Sequence, residues 1–333
     1  MTEPVVDARG RALRDVRISL TDHCNLRCTY CMPKDRSGLS FLPSPQVLSF
    51  EEIGRMVAAL STLGLRKVKL TGGEPLLRPR VPDLVGQLRA SHPDLEINLI
   101  TNGVLLPAAA LPLRTAGLTR LTVSLDGLRP QRLHTMNGRG EVAVRALDGI
   151  EAALNAGFSP LKINMVVIRG LNDDEVEDMA ARFRGPHTIL RFIEYMDVGT
   201  LNRWRREDVV PSAEILSRLR KQTDLVPLEP AHRGETARRY RYADGSGEIG
   251  FISSVTEPFC GDCNRLRVTA DGTVHTCLFS SAGPNLRPYL AEGHGERLRE
   301  MLFALWRQRR DQYSVERSRI SARHKLEMFS MGG

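Results

Sequence analysis

The run Lys67-Val68-Lys69-Leu70-Thr71-Gly72-Gly73-Glu74-Pro75 alternates polar and apolar side chains and then stops at paired glycines. Successive side chains of a strand point to opposite faces, so Lys67, Lys69 and Thr71 share one face while Val68 and Leu70 take the other. The same polar face recurs in Arg17 and Ser19, in Thr122 and Ser124, and in Lys162 and Asn164. Strands of an open parallel sheet with helices on both sides should be mainly apolar. A polar face repeated in strand after strand points instead to a barrel with a polar, ligand-holding interior.

Working outward, β-rich runs over 17–20, 67–71, 96–101, 119–125, 161–168 and 188–194 alternate with helical periodicity over 51–63, 81–89, 141–155 and 173–183. Strand then helix, repeated, implies parallel strands with right-handed crossovers. Six such units are too few for a full eight-stranded barrel, so an α/β partial barrel is expected. After about residue 225 the pattern changes to hairpins, over 240–252 and across the turn Asp271-Gly272, and then to a helix over 296–309. The expected organisation is an N-terminal tail (1–12), a partial barrel (13–225) and a C-terminal region (226–333). Barrel active sites lie at the C-terminal ends of the strands. Those ends carry Thr71 to Pro75, Thr101-Asn102-Gly103, Ser124 to Gly127, and Glu194 to Met196.

The 333 residues are 41% apolar and 26% charged, which excludes a disordered or collagen-like chain. The most apolar stretch, 104–113, is short and interrupted by Pro107 and Pro112, so no membrane span is expected. Residues 1–10 lack the apolar core of a signal peptide, which implies a cytoplasmic, reducing setting where cysteines serve as ligands or catalysts. With 47 basic against 39 acidic residues the formal charge is +8, and an anionic partner is implied.

The cysteines number six and fall into two triplets. Cys24, Cys28 and Cys31 form CxxxCxxC within Thr21-Asp22-His23-Cys24-Asn25-Leu26-Arg27-Cys28-Thr29-Tyr30-Cys31. Three thiolates so close can wrap a soft-metal centre, either an iron–sulfur cluster with one iron open or a zinc whose fourth ligand is a residue such as His23. Cys260, Cys263 and Cys277 form the second triplet, and His275 lies two residues before Cys277 on the same expected strand face. Zinc and an iron–sulfur cluster are both open there.

CxxxCxxC with Tyr30 before the third cysteine, followed by Gly72-Gly73-Glu74-Pro75, closely resembles the radical S-adenosylmethionine (SAM) superfamily. The second triplet, set in Phe259-Cys260-Gly261-Asp262-Cys263-Asn264-Arg265-Leu266-Arg267, with the terminal Gly332-Gly333, resembles within it the GTP 3′,8-cyclase family of molybdenum cofactor biosynthesis. The likeness runs from about Leu13 to Gly333.

That resemblance implies an incomplete (β/α)6 TIM-like barrel with a C-terminal cluster-binding α+β extension. It implies two [4Fe-4S] clusters, each held by three cysteines. At the first, SAM would be cleaved to a 5′-deoxyadenosyl radical that abstracts the ribose 3′ hydrogen of GTP, leading to 3′,8-cyclo-7,8-dihydro-GTP; the second would hold the guanine. Carried over residue by residue, SAM falls to Tyr30, Gly73, Ser124 and Met196, and GTP to Arg17, Lys69, Ile100, Lys162, Arg265 and Arg267. Ile100 stands where the family has Thr or Ser, so only its backbone could make a polar contact; Lys69 replaces the usual Arg, keeping the charge and losing the bidentate fork. The tail glycines, Gly332 and Gly333, would reach into the active site and be needed for activity. The implied partners are an electron donor such as flavodoxin or ferredoxin, a downstream cyclic pyranopterin monophosphate synthase that receives the product, and a second copy in a homodimer; nucleic acid and membrane are not among them.

Read without the resemblance, several of these residues have plainer roles. Met196 suits core packing, Ser124 is an ordinary strand polar residue, Gly73 suits a tight turn, and a diglycine end ordinarily frays. The basic segment 297–310 has Leu298, Met301, Leu302 and Leu305 at helical spacing, which fits an amphipathic helix with one solvated face better than a nucleic-acid surface. Two other functions stay open: a radical SAM peptide-modifying enzyme with an auxiliary cluster, and a zinc-dependent nucleic-acid-binding protein.

Overall fold

The computed structural model describes residues 4–32, 41–317 and 325–332. Eleven strands join in one sheet: β1 (Asp15–Ser19), β2 (Lys67–Thr71), β3 (Glu96–Thr101), β4 (Arg120–Ser124), β5 (Leu161–Val167), β6 (Thr188–Glu194), β7 (Leu225–Pro227), β8 (Arg238–Tyr242), β9 (Glu248–Ile252), β10 (Arg265–Val268) and β11 (Val274–His275). Their order is β11-β10-β1-β2-β3-β4-β5-β6-β9-β8-β7. Every pairing from β10 through β1 to β6 and on to β9 is parallel, whereas β11, β8 and β7 are antiparallel additions. Among the described residues the two ends of this order do not pair, so the sheet is an open, incomplete barrel.

The strand faces sort as their alternation requires. In β5, Leu161, Ile163, Met165 and Val167 are buried under the helices, while Lys162, Asn164 and Val166 face the concave side. In β6, Leu190 and Phe192 go to the core and Arg191 and Ile193 line the interior. The helix Phe50–Thr62 starts at a reciprocal capping box, Ser49 Oγ accepting from Glu52 N and Glu52 Oε2 from Ser49 N, and buries Ile53, Met56, Val57 and Leu60.

Three helices lie where no strong periodicity announces them: Leu106–Thr115, Pro130–Asn137 and Ser212–Arg220. The first carries Pro at its start, where the missing N–H costs nothing, and tolerates Pro112 inside. The segment read as one helix over 173–183 is a 3-10 turn, Asp173–Glu175, followed by the helix Val176–Arg182.

The C-terminal region is not a separate layer. Its two hairpins bring β9 onto β6 and β10 onto β1, covering the two edges that the six βα units leave open. The N-terminal segment is also tied down: Val5 is buried, and the buried Arg11 holds Asp7 at 2.6 Å.

Helix Gly140–Asn155 packs so closely on the loop after β3 that a Cβ at Gly149 would lie 2.1 Å from the Gly103 carbonyl oxygen. Gly149→Ala should therefore lower stability by about 1–3 kcal/mol despite the better helix propensity of alanine. A denaturation midpoint equal to wild type or higher would contradict this packing.

Candidate active site

A cavity of about 700 Å³ opens on the concave side of the sheet, and both cysteine triplets line it. So do Arg17, Tyr30, Lys69, Gly73, Ile100, Ser124, Lys162, Met196, Arg265 and Arg267. Residues from most of the parallel strands thus converge on one space.

The first triplet sits in the loop after β1. Cys31 N and Met32 N both donate to the Cys28 carbonyl, curling the loop, while Arg27 N and Thr29 N donate to the end of helix Pro130–Asn137. Leu26 N donates to Cys24 Sγ at 3.4 Å, and Tyr30 Oη donates to Asp126 Oδ2 at 2.8 Å. Gly73 acts here as a packing residue: a Cβ would stand 2.3 Å from the His23 carbonyl, so the glycine lets β2 and the cysteine loop touch backbone to backbone. Glu74 Oε1 and Oε2 accept from Thr101 Oγ1 and Asn102 N at 2.7 and 2.8 Å, joining the ends of β2 and β3. Burial raises the Glu74 carboxyl to about 7.

The cations form a second zone. Arg17 is flanked in register by Lys69 on β2 and by Arg267 on β10. Arg265 and Arg267 share the cavity face of β10, and Leu266 and Val268 enter the core. Burial lowers Lys69 to about 7, against the opposing pull of Asp15 at 2.6 Å, and lowers Lys162 to about 8. Burial and the neighbouring Arg265 bring Arg17 to about 10, and its buried Nε has no hydrogen-bond partner among the described residues. Buried cations that lower one another's affinity for protons form a site short of negative charge, as an anion-binding pocket is.

Arg191 belongs to this group, and it was missed. It lines the cavity from β6, donates from Nε to Asn164 Oδ1 at 2.9 Å, and is lowered to about 10 by burial and Arg17. Its signal was available: Arg191 occupies the alternate-position face of the expected strand over 188–194.

In the second triplet Cys260 opens a short 3-10 turn, Cys260–Asp262, that Cys263 caps, and Cys277 lies just beyond β11. Arg265 Nη2 and Arg309 Nη2 donate to Cys263 Sγ at 3.4 and 3.2 Å. The basic segment forms the expected amphipathic helix, Gly295–Arg307, which buries Leu298, Leu302 and Trp306, and only Arg309 beyond it departs from a solvated face. The helix ends at Arg307, and the buried Arg309 turns inward to Cys263. His275 does not share the cavity with Cys277; it is buried beside Gly283. His23 is half-exposed and pairs with Asp22 at 2.9 Å.

All six cysteines are free thiols. Among the described residues no three His, Cys, Asp or Glu side chains already converge to hold a single ion, so fit rests on placement and donor chemistry. Burial raises Cys24 and Cys277 to about 11 and pushes Cys28 and Cys31 up as well. Such thiols ionise when a cationic metal centre supplies compensating charge, and both triplets line the open cavity, with no fourth Cys, His, Asp or Glu completing either set among the described residues. Both sites therefore suit an iron–sulfur cluster with one iron left free.

Gly332 is buried at the cavity end of β1 and β2 with φ of 70°, and a Cβ there would lie 2.2 Å from Thr71 Oγ1. Its carbonyl accepts from Arg267 Nη1 at 2.8 Å. Gly333 lies outside the described residues.

Burial alone would raise the Cys263 thiol, but Arg265 and Arg309 outweigh it and bring Cys263 down to about 6. In metal-free protein near neutral pH, Cys263 should thus be alkylated well before Cys24 or Cys277, its rate falling only below about pH 6. Peptide mass spectrometry showing equal rates at the three would refute this charge arrangement.

The Radical SAM superfamily model matches residues 18–183, and the Molybdenum Cofactor Synthesis C model matches residues 188–315. The chain is 48% identical to a GTP 3′,8-cyclase of Xanthomonas axonopodis pv. citri over all of both chains. It is 49% identical to that of Acidothermus cellulolyticus over 96% of this chain and 90% of the other, and 38% identical to that of Staphylococcus aureus over all of both. SuiB of Streptococcus suis, solved with S-adenosylmethionine, shares the fold with a TM-score of 0.61 over 87% of this chain and 69% of that one, at 10% identity. The Radical SAM match over the barrel, the cofactor-synthesis match over the C-terminal region and the full-length likeness to these cyclases together place the chain in the GTP 3′,8-cyclase family of the radical SAM superfamily.

Proposed function

We propose that this chain binds SAM at the first triplet and GTP between the triplets, and converts GTP to 3′,8-cyclo-7,8-dihydro-GTP. The observation that carries the reading is the joint placement of both triplets and six buried or half-buried cations around one cavity. GTP carries about four negative charges, and Arg17, Lys69, Lys162, Arg191, Arg265 and Arg267 can neutralise them by charge-assisted hydrogen bonds. A base held at Cys260, Cys263 and Cys277 would leave the triphosphate among the cations and turn the ribose toward the first triplet.

The bound cluster and SAM supply a radical able to abstract the ribose 3′ hydrogen. The chain's own part is to position and to exclude water. Tyr30, Gly73, Ser124 and Met196 line the SAM side, and Ile100 offers only its backbone as a polar partner. The tail glycines Gly332 and Gly333 complete the site from the cation side, where the Gly332 carbonyl accepts from Arg267 Nη1 at 2.8 Å. The peptide-modifying alternative shares the fold, but a concave cluster of cations suits a triphosphate better than a peptide. The inward direction of the same cations also argues against a nucleic-acid surface.

Anaerobic turnover with GTP, SAM and dithionite should yield 5′-deoxyadenosine and the cyclised nucleotide by mass spectrometry, from protein holding about eight irons per chain. Two zincs without sulfide, or no cyclised product, would overturn the reading. Cys24→Ala should abolish SAM cleavage, whereas Cys277→Ala should leave uncoupled cleavage without cyclised product; normal cyclisation in Cys277→Ala would remove the second triplet from the substrate site. Deleting Gly332 and Gly333 should stop cyclisation with iron content unchanged, and full activity in that truncation would refute the tail's role.

A further inference from the structure

The loop leaving β6 and the C-terminal segment hold each other through two carboxylates pointing in opposite directions. From the loop, Asp197 accepts from Lys325 Nζ at 2.6 Å, Arg317 Nε at 2.9 Å and Tyr313 Oη at 2.6 Å. Lys325 Nζ also donates to the Asp197 carbonyl at 2.8 Å. From the tail, Glu327 Oε1 accepts from Thr200 N at 2.8 Å and Thr200 Oγ1 at 3.0 Å. The loop backbone is shaped to receive it: Gly199 has φ of 78°, and a Cβ there would lie 2.2 Å from Glu327 Oε2. Only a glycine permits that approach.

Asp197 directly follows Met196, which lines the cavity. On the other side, Tyr313 stacks on Phe279 with ring centroids 4.2 Å apart, and Phe279 is two residues beyond Cys277. The same contacts thus link the end of β6, the segment just after Cys277 and the tail that carries Gly332. Two cations and a hydroxyl converge on one carboxylate that is 7% exposed, a charge-assisted set much stronger than a surface ion pair.

We infer that Asp197 and Glu327 form a two-way clasp that seats Gly332 against the cavity residue Arg267, and that Asp197 is a positioning residue for cyclisation. This rests on the cyclase reading for its catalytic consequence, though not for the clasp itself. Asp197→Asn keeps the size and removes the charge; it breaks the ion pairs of the loop's half of the clasp and alters no cysteine of either triplet. Lys325→Met and Glu327→Gln break the same clasp from the tail side alone and leave β6 intact, should the first variant fold poorly.

The test uses reconstituted full-length protein. Hydrogen–deuterium exchange by mass spectrometry should show lost protection over 325–332 in Asp197→Asn and in Lys325→Met, with β1 to β5 unchanged. Cyclised nucleotide should fall about tenfold or more while 5′-deoxyadenosine persists, so the ratio of the two products rises. Asp197→Glu should restore part of the coupling, and the Asp197→Asn/Lys325→Met pair should be no worse than the worse single variant. Unchanged tail protection in Asp197→Asn, or fully additive losses in the pair, would overturn the clasp. If wild type makes no cyclised nucleotide while the variants still release the tail, the cyclase reading fails and the clasp stands.

Discussion

Parallel hydrogen bonding of β10 along the exposed edge of β1 is the interaction on which the site depends. It sets Arg17 beside Arg267 and Asp15 beside Arg265, pairing residues from opposite ends of the chain. Because β10 follows Cys263 by two residues, that pairing also delivers the second cysteine triplet to the cavity opened by the first. Without it, the barrel would present an unpaired edge and the two triplets would have no common space. The edge that needed covering and the substrate site that needed completing are met by the same strand.

The cost of this arrangement is electrostatic. Several cations stand close together away from water, and burial and mutual repulsion pull Arg17, Lys69, Lys162 and Arg191 below their ordinary values. Asp15 relieves part of it at Lys69, and Asn164 and the Gly332 carbonyl occupy Arg191 and Arg267. A polyanionic ligand would supply opposing charge, so the same groups that repel one another would favour its binding. Around Cys263 the balance is reversed, since Arg265 and Arg309 favour the thiolate that burial opposes.

Much of this could be read in advance from alternation. The strands β2, β3 and β6 fall at the expected bounds, and the polar faces expected in β2, β4 and β5 line the cavity. Each candidate SAM or GTP residue named from the motifs lines the one cavity. Arg191 and Arg309 escaped because a lone arginine in a strand or after a helix resembles a solvated residue until the neighbouring elements are in place. His275 misled for the matching reason: a spacing of two residues from Cys277 implies a shared face only while the strand continues, and β11 ends at His275.

The amino-acid sequence alone determined the alternation of strand and helix, the inward polar face, the two sets of three thiols and the family to which their setting belongs. These are local properties, set by side-chain period and short-range spacing. The tertiary structure decided which free edges β9 and β10 cover, that Arg309 turns to Cys263, that Gly73 serves backbone contact with the cysteine loop, and that Asp197 and Glu327 bind loop and tail to each other. Each depends on residues far apart in the chain meeting at a particular distance, and only packing and strand register set that distance.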